Sequence, residues 1–96
     1  MIRLTLQQIA QAVGGTVIGN EQAVVTGSVE TDSRLVTTGS LFVAKPGEVT
    51  DGHAFVVSAQ QLGAVAAIVE HQVECQIDQI VVEDSVIALG KLAAFV

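Results

Sequence analysis

Three short apolar runs constrain the fold of this chain most. They are SLFVA at residues 40–44, AVAAIV at 64–69 and QIVV at 79–82. Uninterrupted apolar runs of this length are typical of strands that are buried on both faces of a sheet. A helical pattern lies between the first two runs, and a strand, helix and strand in this order form a βαβ unit. The sequence therefore predicts an α/β fold: a small mixed β-sheet with a βαβ unit and about three helices.

Local signals place these three helices. Thr5 and Gln8 have the spacing of a capping box, so a helix is expected over residues 6–13, ended by Gly14 and Gly15. A second helix precedes Gly63, and we expect Phe55, Ala59 and Leu62 on its inner face. Asp84 is expected to open the third helix.

Two further β-rich runs lie near the N-terminus. TVIG at 16–19 and AVVTGSVE at 23–30 are separated by a stretch whose composition, Gly-Asn-Glu-Gln, suits a turn. This arrangement predicts an antiparallel hairpin between the two runs.

Composition limits the function classes. The 96 residues suffice for one domain, and half of them are apolar, so we expect a single core without a metal or disulfide staple. A net charge of −6 argues against nucleic acid or an anionic membrane as a partner. No apolar run reaches the length of a membrane span, and there is no signal-peptide pattern, so no membrane insertion and a cytoplasmic location are expected. Cys75 is expected to be an ordinary packing residue.

The polar loop before SLFVA is the first candidate binding element. Thr31, Asp32, Ser33 and Arg34 offer two hydroxyls, a carboxylate and a guanidinium, which suit a nucleobase edge, a sugar hydroxyl or a phosphate. The structural alternative is a turn in which Asp32 pairs with Arg34. The structural turn and the binding of a ligand do not exclude each other.

The loop after SLFVA, KPGEVTDGH at 45–53, is the second candidate. Lys45 offers an ammonium, the glycines allow close approach of a ligand, and Asp51 suits a helix N-cap. A plain strand-to-helix turn is the alternative. Because the two loops leave opposite ends of SLFVA, the first must fold back along the sheet edge for both to reach one ligand.

Common catalytic signatures are absent from the sequence. There is no Walker phosphate loop, no Gly-x-Gly-x-x-Gly fingerprint and no Gly-x-Ser-x-Gly elbow. His53 and His71 have no Cys or second His at metal-ligand spacing, so no metal site is expected. A small acid–base enzyme using Asp51 and His53 is a minor alternative.

Five segments together resemble one family. TLQQIAQAVGG, TDSR, GSLFVAKPGE, DGHAF and GAVAAIVE occur in an order that resembles the N-terminal domain of the Mur ligases. The opening helix and the ending VVEDSVIALGKLAAFV are most similar to members that add D-alanyl-D-alanine. The resemblance covers nearly the whole chain.

The resemblance implies a function. The domain would bind the uridine diphosphate end of UDP-N-acetylmuramoyl-tripeptide (UDP-MurNAc-tripeptide), for an enzyme that uses ATP and Mg²⁺ to join D-alanyl-D-alanine to the peptide. ATP, Mg²⁺ and catalysis would belong to central and C-terminal domains of the same chain, so these 96 residues would be inactive alone, with no catalytic residue, metal or cofactor. The implied substrate-binding residues are Thr31, Asp32, Ser33, Arg34, Lys45, Gly47, Glu48, Asp51 and Gly52.

Several alternatives stay open. The member of the family that adds the third peptide residue, diaminopimelate or lysine, shares the short motifs, and a non-catalytic docking module is a different class. Arg34 and Glu48 either contact the ligand or serve the structure. Because the last segment is still amphipathic and uncapped at Val96, we expect a domain from a longer, three-domain ligase.

Overall fold

The structure is a computed structural model, which describes residues 3–45, 55–74 and 76–95. The elements in chain order are β1 (Leu4–Thr5), α1 (Leu6–Val13), β2 (Thr16–Ile18), β3 (Val24–Val25), β4 (Val29–Glu30), a 3₁₀ turn (Ser33–Leu35), β5 (Leu41–Val43), α2 (Val56–Gln61), β6 (Ala66–Val69), β7 (Asp78–Val81) and α3 (Ser85–Phe95).

The main sheet has five strands in the order β2-β7-β6-β5-β4. Strands β4, β5, β6 and β7 are parallel, and β2 pairs antiparallel with β7 at one edge. Strands β1 and β3 form a separate antiparallel pair. The unit β5-α2-β6 is the expected βαβ unit, so the predicted small mixed sheet with three α-helices is confirmed.

Each face of this sheet packs against helices. Side chains alternate along a strand, so Leu41 and Ile68 face α1 and α3, whereas Phe42 and Val69 face α2. All four side chains are buried. The three-layer arrangement explains why the central strands are apolar without a break: neither face meets water.

Helix α1 has the bounds that the sequence predicts. The Thr5 Oγ1 accepts from the Gln8 backbone N–H at 3.2 Å, and the Gln8 Oε1 accepts from the Thr5 N–H at 2.9 Å. Gly14 ends the helix with a φ of +73°, which favours glycine. The capping box and the glycine stop are therefore confirmed.

The predicted hairpin between the runs 16–19 and 23–30 is wrong. Strand β2 pairs with β7, and β3 pairs with β1. The connection between β2 and β3 packs on the start of α1, where the N–H groups of Leu6 and Gln7 donate to the Ala23 and Glu21 carbonyls at 2.9 and 3.0 Å. These amides are the orphan donors of a helix N-terminus, and the loop satisfies them.

Helix α2 is shorter than the sequence pattern suggests, and its inner face differs. Ala59 is buried as predicted, together with Val56, but Phe55 and Leu62 are 40% and 48% exposed. Both of these residues flank the helix as caps, so they do not follow its periodicity. The expected inner face is therefore wrong at two of its three positions.

Helix α3 begins as predicted. The Asp84 Oδ1 accepts from the N–H groups of Val86 and Ile87 at 2.9 and 3.1 Å, which confirms Asp84 as the N-terminal cap. None of the helices in the described ranges has the length and hydropathy of a bilayer-crossing segment.

A return loop carries the chain from the end of β4 to the start of β5. Its Gly39 has a φ of +86° and donates its N–H to the Gly63 carbonyl at 2.9 Å. The buried Ser40 Oγ accepts from the Thr37 N–H at 3.1 Å. These bonds fix the amino end of β5 and therefore the position of its carboxyl end.

Candidate ligand-binding edge

The carboxyl ends of the four parallel strands share one edge of the sheet. Glu30 of β4 is in register with Phe42 of β5, so the loop after β4 starts beside the last residues of β5. Neighbouring strands are about 4.8 Å apart, so Thr31, which directly follows Glu30, lies beside the carboxyl end of β5, the strand that leads to Lys45. Edges of this kind are where open α/β sheets bind ligands.

This geometry corrects one expectation about the two loops. The sequence suggested that they leave opposite ends of SLFVA and that the first must fold back. Instead, the segment Thr31–Arg34 follows a strand of its own, β4, which is parallel to β5. The first loop therefore starts at the same edge as Lys45, and only its later residues run back to the amino end.

Asp32 and Arg34 form the predicted turn and ion pair. The Asp32 Oδ1 accepts from the Arg34 backbone N–H at 2.9 Å and from its Nε at 3.0 Å, and Oδ2 accepts from Nη2 at 2.7 Å. The hydrogen bond from the Arg34 side chain lowers the pKa of Asp32 to about 2, and the pKa of Arg34 is raised by the same bond. The pair is solvent-exposed, with 86% of the Arg34 side chain accessible.

The two hydroxyls of the segment lie on either side of Asp32. Thr31 is exposed, and Ser33, half-buried, begins the 3₁₀ turn. Within the described residues, neither hydroxyl has a hydrogen-bond partner. A ligand can therefore bond to both hydroxyls without breaking a hydrogen bond that the structure describes.

Lys45 directly follows the end of β5. Ala44 before it is buried and donates its N–H to the Ile68 carbonyl at 2.9 Å, so the backbone is fixed up to this point. The Lys45 side chain is exposed and has no ion pair within the described residues. It supplies a positive charge at the sheet edge where the Thr31–Arg34 loop also starts, in a chain whose net charge is −6.

Four of the predicted site residues, Gly47, Glu48, Asp51 and Gly52, lie outside the described residues, as does His53. Their proposed contacts stay predictions. The described part of the site is therefore the segment Thr31–Arg34 with Lys45.

Glu70 is a residue at this edge that the sequence analysis missed. It follows β6, and its Oε2 accepts from the backbone N–H of buried Ser85 at 2.8 Å and from the Ser85 Oγ at 3.0 Å. A carboxylate is stabilised at a helix N-terminus by the free N–H groups there. The signal in the sequence was weak, since the two partners are fifteen residues apart.

The edge thus divides into two parts. The ends of β6 and β7 carry Glu70 and Asp84, which cap α3. The ends of β4 and β5 carry the hydroxyls, the Asp32–Arg34 pair and Lys45. No group of three potential metal ligands occurs within the ranges that the structure describes.

Fold and edge together define a class: an α/β domain with helices on both faces of its sheet and polar loops at the carboxyl ends of parallel strands. The chain belongs to the Mur ligase family. The family model described as "Mur ligase family, catalytic domain" matches residues 26–95.

Individual relatives agree with this assignment. The chain is 38% identical over 96 residues to the UDP-N-acetylmuramoyl-tripeptide–D-alanyl-D-alanine ligase of Escherichia coli (strain K12), covering 100% of this chain and 21% of that protein. It is 38% identical over 92 residues to the UDP-N-acetylmuramoyl-L-alanyl-D-glutamate–2,6-diaminopimelate ligase of Listeria monocytogenes, covering 96% of this chain and 19% of that protein.

A solved structure shows the same fold. The crystal structure of MurF from Acinetobacter baumannii matches with a TM-score of 0.88 at 36% identity, covering 99% of this chain and 21% of that one. The chain therefore spans about a fifth of the length of the relatives that it matches.

Proposed function

We propose that this domain binds the uridine diphosphate end of UDP-MurNAc-tripeptide for a ligase that adds D-alanyl-D-alanine to it. The observation that supports this most is that the loop carrying Thr31–Arg34 starts at the sheet edge where β5 ends before Lys45, in a chain of the Mur ligase family. The E. coli relative, which is similar along the entire chain, carries this ligase name.

The chemistry of the edge suits a uridine nucleotide. The hydroxyls of Thr31 and Ser33 can donate to and accept from the uracil edge or a ribose hydroxyl. Lys45, one strand away, can neutralise part of the diphosphate charge. We further propose that Gly47, Glu48, Asp51 and Gly52 approach the ribose and the diphosphate from the next loop.

Arg34 has a different role in this proposal. Its guanidinium is held at two nitrogens by Asp32. A phosphate would have to compete with that bidentate pair, or use the remaining N–H groups. The pair favours a structural role for Arg34 and Asp32, which together shape the turn that presents Ser33.

The parent enzyme would perform its chemistry elsewhere. We propose that its central and C-terminal domains use ATP and Mg²⁺ in the cytoplasm to transfer a phosphoryl group to the tripeptide carboxyl, with release of ADP. The amine of D-alanyl-D-alanine would then attack this acyl phosphate to form an amide and release phosphate. A nucleotide handle held far from this carboxyl can orient it, because binding energy at a non-reacting group restricts the motion of the reacting one. By itself, the 96-residue chain would bind substrate and leave it unchanged.

The Listeria relative favours a second candidate within the family. Its identity to this chain equals that of the E. coli relative, so the same domain could serve the ligase that adds the third peptide residue, diaminopimelate or lysine. Activity of the full-length parent decides between them. The first candidate requires amide formation with UDP-MurNAc-tripeptide and D-alanyl-D-alanine, and the second requires it with the UDP-linked dipeptide and diaminopimelate or lysine.

Substitution of Lys45 tests the site itself. Lys45→Gln is expected to weaken UDP binding several-fold in calorimetry and to leave the weaker binding of uridine unchanged, because only UDP carries the diphosphate. Lys91→Gln on α3 is the matched control, since both variants lose one positive charge from an exposed lysine. Equal effects of the two substitutions on UDP binding would show that Lys45 acts only through net charge and would remove it from the site.

A further inference from the structure

A cleft opens between the C-terminal end of α1 and the start of α3. Its volume is about 410 Å³, within the range of about 300–1,000 Å³ that is typical of small-molecule sites. The side chains that line it come from α1, the end of β7 and α3, and they include Val13, Val82, Glu83, Ile87, Ala88 and Lys91. The cleft is large enough for a small ligand, and the proposed function makes no use of it.

Tight packing fixes the floor of this cleft. Val13, Val82 and Ala88 are buried lining residues. The turn after α1 packs directly on the end of β7, since a Cβ added at Gly15 would lie 2.9 Å from the Val82 Cγ1 and 3.0 Å from the Val81 carbonyl oxygen. The apolar floor is therefore preformed, and a ligand can bind without rearranging it.

Two oppositely charged side chains border the cleft and are free. Glu83 and Lys91 are exposed, and neither side chain has a hydrogen bond or an ion pair to another described residue. The Lys91 Nζ lies 4.0 Å from the place where a Cβ at Gly14 would be, so the ammonium extends to the end of α1. Asp84, by contrast, caps α3 with its carboxylate. The cleft thus offers one free carboxylate and one free ammonium beside an apolar floor.

The spacing of these two charges indicates the length of a matching ligand. Glu83 directly precedes Asp84, and Lys91 lies two turns into α3, so their Cα atoms are about 12 Å apart along the helix axis at 1.5 Å per residue. A peptide of two or three residues spans about 7–10 Å, at about 3.3–3.6 Å per residue. Both side chains are flexible and can reach inward, so the spacing fits such a peptide better than a single amino acid.

We propose that this cleft binds a short peptide of two or three small apolar residues whose amino and carboxyl ends are both free. The Glu83 carboxylate pairs with the N-terminal ammonium of the peptide, and the Lys91 ammonium pairs with its C-terminal carboxylate. Ile87, which is 57% exposed, covers the small side chains together with the floor. The site is independent of the proposed uridine diphosphate site at the ends of β4 and β5.

NMR titration of the 96-residue chain with three peptides tests this site. Trialanine carries both charged ends, N-acetyl-trialanine lacks the ammonium, and trialanine amide lacks the carboxylate. Trialanine is expected to shift the backbone amides of residues 13–14 and 82–88, with millimolar affinity because both protein charges are exposed. Each blocked peptide is expected to bind about threefold more weakly, as for the loss of one exposed ion pair.

Two substitutions assign the ends of the peptide. Glu83→Gln is expected to weaken trialanine binding about threefold and to leave N-acetyl-trialanine unchanged, because the blocked peptide has no ammonium to pair. Lys91→Gln is expected to weaken trialanine by a similar factor and to leave trialanine amide unchanged. Glu74→Gln and Lys45→Gln, also at exposed positions, are the matched charge controls and should leave the binding of all three peptides unchanged.

No shifts at the cleft with tens of millimolar trialanine would overturn the proposal. Equal binding of the three peptides to the original chain would also overturn it, as would a variant that weakens all three equally. The last result is expected if Lys91 only stabilises the negative end of the α1 dipole. UDP titration separates the two proposals, because Lys91→Gln should leave UDP binding unchanged and Lys45→Gln should leave trialanine binding unchanged.

Discussion

Ser33 is the residue on which the proposed binding site depends most. It is half-buried and begins the 3₁₀ turn in the loop that follows β4. Ser33→Ala is expected to weaken UDP binding by about 1 kcal/mol, or about fivefold, which is typical for one hydrogen bond. Ser58→Ala, at an exposed position on α2, is the control and should leave binding unchanged. Calorimetry gives both values.

A Ser33→Ala variant that binds UDP as tightly as the original chain would remove Ser33 from the site. The melting temperature separates this result from damage to the fold, since the substitution removes no side-chain hydrogen bond to the described residues.

Because of the Asp32–Arg34 pair, we expect the stability of the folded chain to depend on pH under acidic conditions. The pKa of Asp32 is about 2 in the folded chain, below its usual value of 3.8. A depressed carboxyl pKa contributes stability above the unfolded pKa, and this contribution disappears as the pH falls through the folded value. We therefore expect the contribution of the pair to stability to be complete above about pH 4 and to be lost as the pH falls through about 2, where the Asp32 carboxylate becomes protonated in the folded chain.

NMR titration of the Asp32 carboxyl carbon measures this directly. A midpoint near 2 is expected, with Arg34→Gln moving it up toward 3.8 because the side-chain hydrogen bonds are the largest cause of the shift. A midpoint that Arg34→Gln leaves in place would show that the guanidinium does not hold the carboxylate in solution.

At the scale of elements, the sequence correctly predicted structures that are held by contacts between residues close together in the chain. The capping box of α1 involves residues three positions apart, so its partners are visible in the sequence.

Thr5→Ala is expected to lower the free energy of unfolding by about 1 kcal/mol. Thr5→Ser keeps the hydroxyl and should retain most of the stability. Urea denaturation of the three proteins tests whether the cap contributes as the geometry indicates; equal stability of Thr5→Ala and the original chain would contradict it.

Long-range pairing explains where the prediction from sequence failed. The partner of β2 is β7, about sixty residues later, whereas a local hairpin with the next β-rich run had an equally good pattern. The same error hid the parallel strand β4, because it was assigned to that hairpin. Once β4 pairs with β5, the loop that carries Thr31–Arg34 starts at the edge where β5 ends before Lys45, the one described residue of the second candidate loop.

At the scale of the whole molecule, the apolar runs were sufficient to predict the α/β class. Buried parallel strands and the βαβ unit follow from the length of these runs and from the helix between them. The expectation that the last helix is amphipathic is wrong, because α3 exposes Val86 and Ile87 while it buries Ala88 and Leu92, and so has apolar residues on both sides. The family resemblance found in the short motifs is confirmed by the family match and by the shared fold.

The most direct test of the proposed function is an NMR titration of the 96-residue chain with UDP and then with UDP-MurNAc-tripeptide, following the backbone amides. Shifts are expected at residues 31–34 and at Lys45, and at 46–52 if the predicted contacts of the second loop hold. The amides of α3 should remain unchanged. Shifts confined to other surfaces, or no shifts at millimolar ligand in both the short chain and the full-length parent, would contradict a uridine diphosphate site at this edge.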